Sequence, residues 1–195
     1  MLKDILKEHN VILASGSPRR QQFFKDLGLD FSIQLKEIEE IYPDHLRAEE
    51  ISDYLALLKA NAFSNLGPKD ILITSDTIVW HNHKALGKPK DLEDAKRMIV
   101  SLSNDTHQVI TSVCFKTIHG TKLVHHTTKV TFKELSPEEI EYYVHTYKPL
   151  DKAGAYGIQE WLGFIGISSI EGSYFNVMGL PIHLVYETLT TLATS

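Results

Sequence analysis

Short apolar runs alternate along this chain with stretches whose apolar positions recur at helical spacing. Val11-Ile12-Leu13-Ala14 reads as a buried strand that Gly16 breaks. Pro18 suits a first helical turn, with Gln21–Leu27 as the helix body. Phe31–Leu35 predicts a second strand, and the acidic Lys36–Glu40 stretch with Tyr42-Pro43 predicts a solvated loop. Ile51, Tyr54, Leu55, Leu58 and Ala62 share one face of a helix expected from about Arg47 to Leu66, where Gly67-Pro68 stops it. Ile71–Thr74 is a buried strand, and Ile78–Trp80 is its continuation or its partner.

His81-Asn82-His83-Lys84 then makes a hairpin tip and Leu86-Gly87-Lys88-Pro89 a tight loop. Asp91 caps a helix that runs to about Leu102. His107–Ile118 and Lys122–Phe132 alternate like an antiparallel hairpin, joined at His119-Gly120-Thr121. His125 and His126 point to opposite faces of such a strand and cannot share one small ligand site. Ser136-Pro137-Glu138-Glu139 is a capping box opening a helix that Lys148-Pro149 ends. Beyond a glycine-bearing loop, Asp151–Gln159, a strand is expected over Ile165–Ile170 and a polar turn over Gly172–Val177. A terminal helix carries Ile182, Val185, Leu189 and Leu192. No repeat or low-complexity tract interrupts the series.

A chain of 195 residues with ordinary apolar and charged fractions suits one domain, or one domain with two lobes. Its net charge of -5 argues against non-specific binding to nucleic acid or anionic membrane, and no aromatic-basic tract appears. A single cysteine, Cys114, excludes an intrachain disulfide and fits a reducing compartment. Met1–Asn10 lack the apolar length of a signal peptide, and no run approaches a membrane span, so a cytoplasmic protein is expected.

Candidate chemistry begins at Ser15-Gly16-Ser17-Pro18-Arg19-Arg20. Small residues leave amides free at a helix N-terminus, where an anion is favoured, and the two arginines are bidentate phosphate donors. The string is not a Walker loop. Lys59 sits at the border of an apolar helix face, and Asp76 interrupts an apolar stretch, which is costly unless it is paired, solvated or bound to metal. An acid at the end of a buried strand is a common place for chemistry. Lys88 is held between glycine and proline, and Gln159 has the paired donor and acceptor that read a base edge. Basic groups for phosphates beside carboxylates for a divalent cation are the parts that nucleotide phosphate hydrolysis needs.

The chain resembles the Maf (septum formation inhibitor-like) family of nucleoside triphosphate pyrophosphatases. The matching strings are Leu13–Arg20, Ser75-Asp76-Thr77 with Gly87-Lys88-Pro89, Asp151–Gln159 and Gly172–Pro181. The resemblance runs from about residue 10 to the terminal helix. It implies an α/β fold with an elongated, curved mixed sheet flanked by helices, similar to the inosine triphosphate pyrophosphatases (Maf/Ham1-like). Residues 1–195 would form a single domain of two lobes around a nucleotide-binding cleft.

The resemblance also implies metal-dependent cleavage between the α- and β-phosphates. By it Asp76 is the general base, Arg19 and Arg20 bind phosphate with Ser15 and Ser17, and Lys59 and Lys88 are pocket lysines. An acidic metal-side residue falls at Glu39-Glu40, with Glu40 favoured by register. Mg2+ or Mn2+ would be bound by Asp76 and Glu40, which leaves open whether Asp76 is base, ligand or both. Arg19, Thr77 and Gln159 follow the dTTP/UTP branch rather than the 7-methyl-GTP branch, so a pyrimidine triphosphate is the expected substrate, modified pyrimidines included. Glu160-Trp161 depart from the family's usual glycine after Gln159, and Asn104 stands where another glycine is usual. A homodimer is implied too. The alternative is a nucleotide-binding regulator of cell division with little turnover.

Overall fold

The computed structural model describes residues 1–194. Its elements in chain order are α1 (Leu2–Ile5), β1 (Asn10–Leu13), α2 (Pro18–Asp26), β2 (Ser32–Ile33), α3 (Glu49–Asn61), β3 (Asp70–His81), β4 (Lys84–Leu86), α4 (Leu92–Leu102), β5 (Thr106–Thr117), β6 (Gly120–Phe132), α5 (Pro137–Tyr147), α6 (Trp161–Gly166), β7 (Ile167–Glu171), α7 (Tyr174–Val177) and α8 (Ile182–Thr194). The strands form one mixed sheet in the order β2-β1-β3-β5-β6-β7, with β4 on β3. β1 is parallel to both β2 and β3, whereas β4 and β7 pair antiparallel to β3 and β6. The chain falls into two compact units, and β3, β5 and β6 each pass from one to the other.

The first unit holds Met1–Asp76, Thr111–His125 and the segment from Gly179 onward. Val11, Ile12 and Leu13 are buried because β1 lies between two parallel neighbours, the setting in which a strand is apolar on both faces. Against this sheet, Ala56, Ala60 and Phe63 pack with Ile12, Leu72 and Cys114. The helix α3 stops at Asn61, not near Leu66. Its last carbonyls are taken by lysines: Lys36 Nζ donates to Ala62 O at 2.6 Å, and Lys116 Nζ to Ala60 O at 3.2 Å and Phe63 O at 2.9 Å. Those donors satisfy orphan carbonyls, and the turn they permit carries Phe63 into the core. The expected strand over Phe31–Leu35 shrinks to two residues, both exposed. At the start of the chain Leu2 and Leu6 are buried, and α1 packs against α8, a contact no local pattern announces.

The second unit holds Thr77–Ile110 and His126–Met178. Its core gathers Val79, Ile99, Phe132, Tyr143, Tyr156 and Leu162. Ile78–Trp80 continue β3 rather than pairing with it, and the hairpin to β4 turns on Asn82 and His83, both at positive φ as a two-residue type I′ turn requires. Asp91 caps α4 by accepting from Asp94 N at 2.7 Å, and the Ser136 capping box on α5 is complete. Asn104 takes the left-handed conformation (φ 55), as expected where a glycine is usual. The β5–β6 turn falls on Ile118 and His119, one residue ahead of the expected position.

Two expectations at the C-terminal end are corrected. Residues 161–166 form a helix, and the strand begins only at Ile167. A short, continuously apolar string has no period by which to tell strand from helix. Packing decides it: Leu162 is fully buried and Trp161 meets Tyr142 edge-on at 4.9 Å. The polar turn over Gly172–Val177 contains the one-turn helix α7, whose Asn176 is fully buried and donates to Val109 O and Thr128 Oγ1.

Candidate active site

The β1–α2 turn is built as its composition suggests. Ser15 is buried, its Oγ accepts from Ser17 N at 3.3 Å and its carbonyl from Gln21 Nε2 at 3.1 Å. Ser17 is the N-cap residue, but no side chain caps α2 and its first turn contains no acid. Pro18 lacks an N–H, so the amides after it are the ones left at this helix end. Arg19 and Arg20 follow, both half-buried. Arg20 is anchored at two backbone carbonyls, Nε to Gly179 O at 2.8 Å and Nη1 to Ser75 O at 3.0 Å. Burial draws its guanidinium down from the ordinary value, and the Asp76 carboxylate opposes that.

Asp76 lies inside β3, not at a strand end. Thr74 and Asp76, two residues apart, share the strand face toward α3. Thr74 Oγ1 donates to Ala56 O at 2.7 Å, and Lys59 Nζ donates to Asp76 Oδ1 at 2.6 Å. The same ammonium reaches Glu40 Oε1 at 2.9 Å. Glu39 and Glu40 are both exposed, and it is the Glu40 carboxylate that meets Lys59. Burial pushes the Asp76 carboxyl above the ordinary carboxylate range. The Lys59 ammonium and Arg20 oppose this, and Glu40 adds to it. The first unit therefore gathers Ser15, Ser17, Arg20, Glu40, Lys59 and Asp76.

Among the described residues no group of three or more His, Cys, Asp or Glu side chains could hold a metal ion. Two carboxylates nevertheless converge on one cation, the Lys59 ammonium. That donor set fits magnesium, which takes one or two carboxylates and completes its shell with phosphate oxygens and water.

Arg19 also belongs to the first unit, whereas Thr77, Lys88 and Gln159 belong to the second. Thr77, inside β3 and the first residue of that unit, is half-buried. Lys88 is exposed on the loop between β4 and α4. Gly87 O accepts there from Gly154 N at 3.1 Å, and Gly154 (φ 68) leaves no space for a side chain, since a Cβ would lie 2.8 Å from Val79. Gln159 is half-buried in a turn just before α6.

Sequence reasoning passed over a polar cluster in that unit. The Lys152 ammonium, largely buried, pairs with Asp151 Oδ1 at 2.6 Å and with Glu160 Oε1 at 3.0 Å, and Tyr143 OH donates to Glu160 Oε2. Lys152 and Asp151 lie inside a quoted motif, but Tyr143, the partner of Glu160, comes from a separate helix and left no local sign. A second omission anchors α3 in the first unit. Fully buried Ser52 and Ser112 meet at 2.7 Å, Ser112 donates to Asp53, and Asp53 faces His125.

Fold and site together define an α/β protein of mixed sheet with acidic and basic side chains gathered beside β3. Two solved structures share this fold: the Ham1 protein of Staphylococcus aureus, with a TM-score of 0.55 and 16% identity over 94% of this chain and 99% of that one, and a HAM1 protein from Coxiella burnetii, at 0.53 and 13% over the same shares. The chain belongs to the Maf-like protein family, whose profile matches residues 10–192. Its relatives include the dTTP/UTP pyrophosphatase of Flavobacterium johnsoniae, 66% identical over 98% of this chain and 100% of the relative. That of Christiangramia forsetii is 56% identical over the full length of both.

Proposed function

We propose that this protein is a nucleoside triphosphate pyrophosphatase that hydrolyses dTTP and UTP to the monophosphate and pyrophosphate, modified pyrimidine triphosphates included. The observation that carries the reading is the triad in the first unit, a buried Asp76 bonded to Lys59, which also holds Glu40, beside an arginine-bearing turn. Full-length relatives named for this activity support it.

In this reading water attacks the α-phosphorus, the α–β anhydride bond breaks, and pyrophosphate leaves with the bond's electron pair. Asp76 takes the proton of the attacking water. Desolvation raises its carboxyl and makes it a stronger base than an exposed aspartate, while the Lys59 ammonium opposes that rise. Arg19 and Arg20 hold phosphate oxygens, and the carbonyl anchors of Arg20 fix its guanidinium before substrate arrives, which lowers the reorganisation needed in the transition state. Ser15 and Ser17 shape the turn that presents amides to an anion. Lys88 neutralises charge on the leaving group, and Thr77 and Gln159 select the base, as the motifs imply. Glu40 and Asp76 would hold Mg2+ or Mn2+, which when bound supplies Lewis-acid polarisation of the phosphate.

Residence in the cytoplasm and assembly as a homodimer belong to the same reading. Buried, unpaired Cys114 suits a reducing compartment, and no helix among the described residues is long and apolar enough to cross a membrane. Sedimentation in solution decides the oligomeric state.

Pyrophosphate release from a panel of nucleoside triphosphates tests the function. Release from dTTP and UTP with little from purine nucleotides is the expected result. Tight triphosphate binding with no release from any nucleotide would overturn it in favour of a regulator.

A further inference from the structure

The turn that carries Gln159 is closed from both sides. Glu160 N donates to Gly157 O at 3.0 Å, so Ile158 and Gln159 are the central residues of a four-residue turn. On the other side a single phenol bridges the same two residues: Tyr143 OH accepts from Gly157 N at 3.1 Å and donates to the Glu160 carboxylate. The second carboxylate oxygen of Glu160 holds the Lys152 ammonium at 3.0 Å. Lys152 is also paired with Asp151, so one chain segment is tied at both of its ends by the same lysine.

The fit leaves little slack. A Cβ on Gly157 would lie 2.8 Å from the Glu160 carboxyl carbon, and a Cβ on Gly163 would lie 2.1 Å from the Ile158 carbonyl oxygen. Glu160 is the N-cap residue of α6, yet its side chain makes no cap hydrogen bond and turns back to Tyr143 and Lys152. A carboxylate at this position would ordinarily favour the helix N-terminus. Here it serves the turn instead. Tyr143 is fully buried and is further fixed by stacking on Tyr147 at 5.0 Å.

We propose that Glu160 is a positioning residue for base selection: with Tyr143 and Lys152 it locks the Gly157–Glu160 turn and so fixes the backbone from which the Gln159 amide reaches the base. This rests on the pyrimidine triphosphatase reading above. An amide discriminates bases only when its donor and acceptor are held in register, because a freely turning one pairs with either pattern. A glycine after Gln159 would give the turn no such tether. In this chain the departure from the family's usual residue supplies the lock.

The test compares the wild type with Glu160→Gln, Glu160→Gly, Tyr143→Phe and the double variant Glu160→Gln with Tyr143→Phe for kcat and KM on dTTP, UTP and dGTP, alongside backbone amide hydrogen exchange. The expected result is a rise in KM for dTTP of about tenfold in Glu160→Gly with kcat within about threefold, the pattern of lost ground-state binding. The preference for dTTP over dGTP falls by a similar factor, and Glu160→Gln recovers part of it through the remaining Tyr143 bond. Effects of Glu160→Gln and Tyr143→Phe are not additive, as expected of two residues in one network. Gly157 and Glu160 amides exchange faster in each variant. An unchanged dTTP/dGTP preference in an active Glu160→Gly enzyme overturns the proposal, even if its melting temperature drops. If the wild type releases no pyrophosphate, the functional reading has failed by itself. Amide exchange then still decides the lock, and unaltered exchange at Gly157 in Glu160→Gly overturns it.

Discussion

Asp76 and Lys59 show how one residue's environment sets both chemistry and stability. Burial is the largest influence on Asp76 and raises its carboxyl, so the folded state prefers the neutral form more than the unfolded state does. For a raised acid the sign is definite. Its contribution to stability is present below the ordinary carboxylate range and is lost as pH rises through the folded value. Asp76→Asn, which is neutral at every pH, is therefore expected to melt at or above the wild-type temperature near pH 7. The gap should close as pH falls below the ordinary carboxylate range. The same variant should lose about 10²–10⁴-fold in pyrophosphate release, the usual contribution of a general base. Calorimetry across pH, paired with the activity assay, checks both. A variant that is less stable at neutral pH would contradict the burial argument. Lys59 opposes the raising of Asp76, so Lys59→Met should push that carboxyl higher still. The acid limb of the kcat/KM profile then moves to higher pH.

At the scale of elements, the starts of α4 and α5 were legible because a neighbouring side chain caps each of these helices. Asp91 and Ser136 stand next to the turns they cap, and both helices begin where the sequence places them. Ser136→Ala removes one half of the capping box and should cost about 1 kcal/mol in chemical denaturation. At the other end of α5, Lys148 takes a left-handed conformation (φ 45, ψ 62) that suits glycine better. Lys148→Gly should stabilise by about 0.5–1 kcal/mol through relief of that strain. Where the partner is distant the boundary was not readable. The early end of α3 depends on Lys36 and Lys116, one of them from another strand, and the helical state of residues 161–166 depends on the space beside Ile158.

For the whole molecule, the proposed activity makes a demand that only the assembled chain can meet. EDTA should abolish pyrophosphate release, and excess Mg2+ or Mn2+ should restore it, with circular dichroism unchanged throughout. The unchanged spectrum follows because Lys59 already bridges Glu40 and Asp76, so neither carboxylate is left unpaired by removing a metal. Persistence of full activity in EDTA would exclude Asp76 and Glu40 as a required cation site.

The sequence by itself determined the alternation of strands and helices, most helix starts, the turn at Ser15–Arg20 and the family to which the chain belongs. Each is written in neighbouring residues, through period, capping chemistry or a contiguous motif. It also marked Asp76 as anomalous, since a charged residue inside an apolar run must have a partner. Which partner it has was decided by the tertiary structure. Glu40, Lys59 and Asp76 come from a loop, a helix and a strand, and only the packing of α3 on β3 brings the ammonium to both acids. Tyr143, Lys152 and Glu160 meet in the same way, through α5 and the chain that follows it. Periodicity reports which face of an element is buried. The residue waiting on the other side is set by long-range contacts that no local pattern encodes.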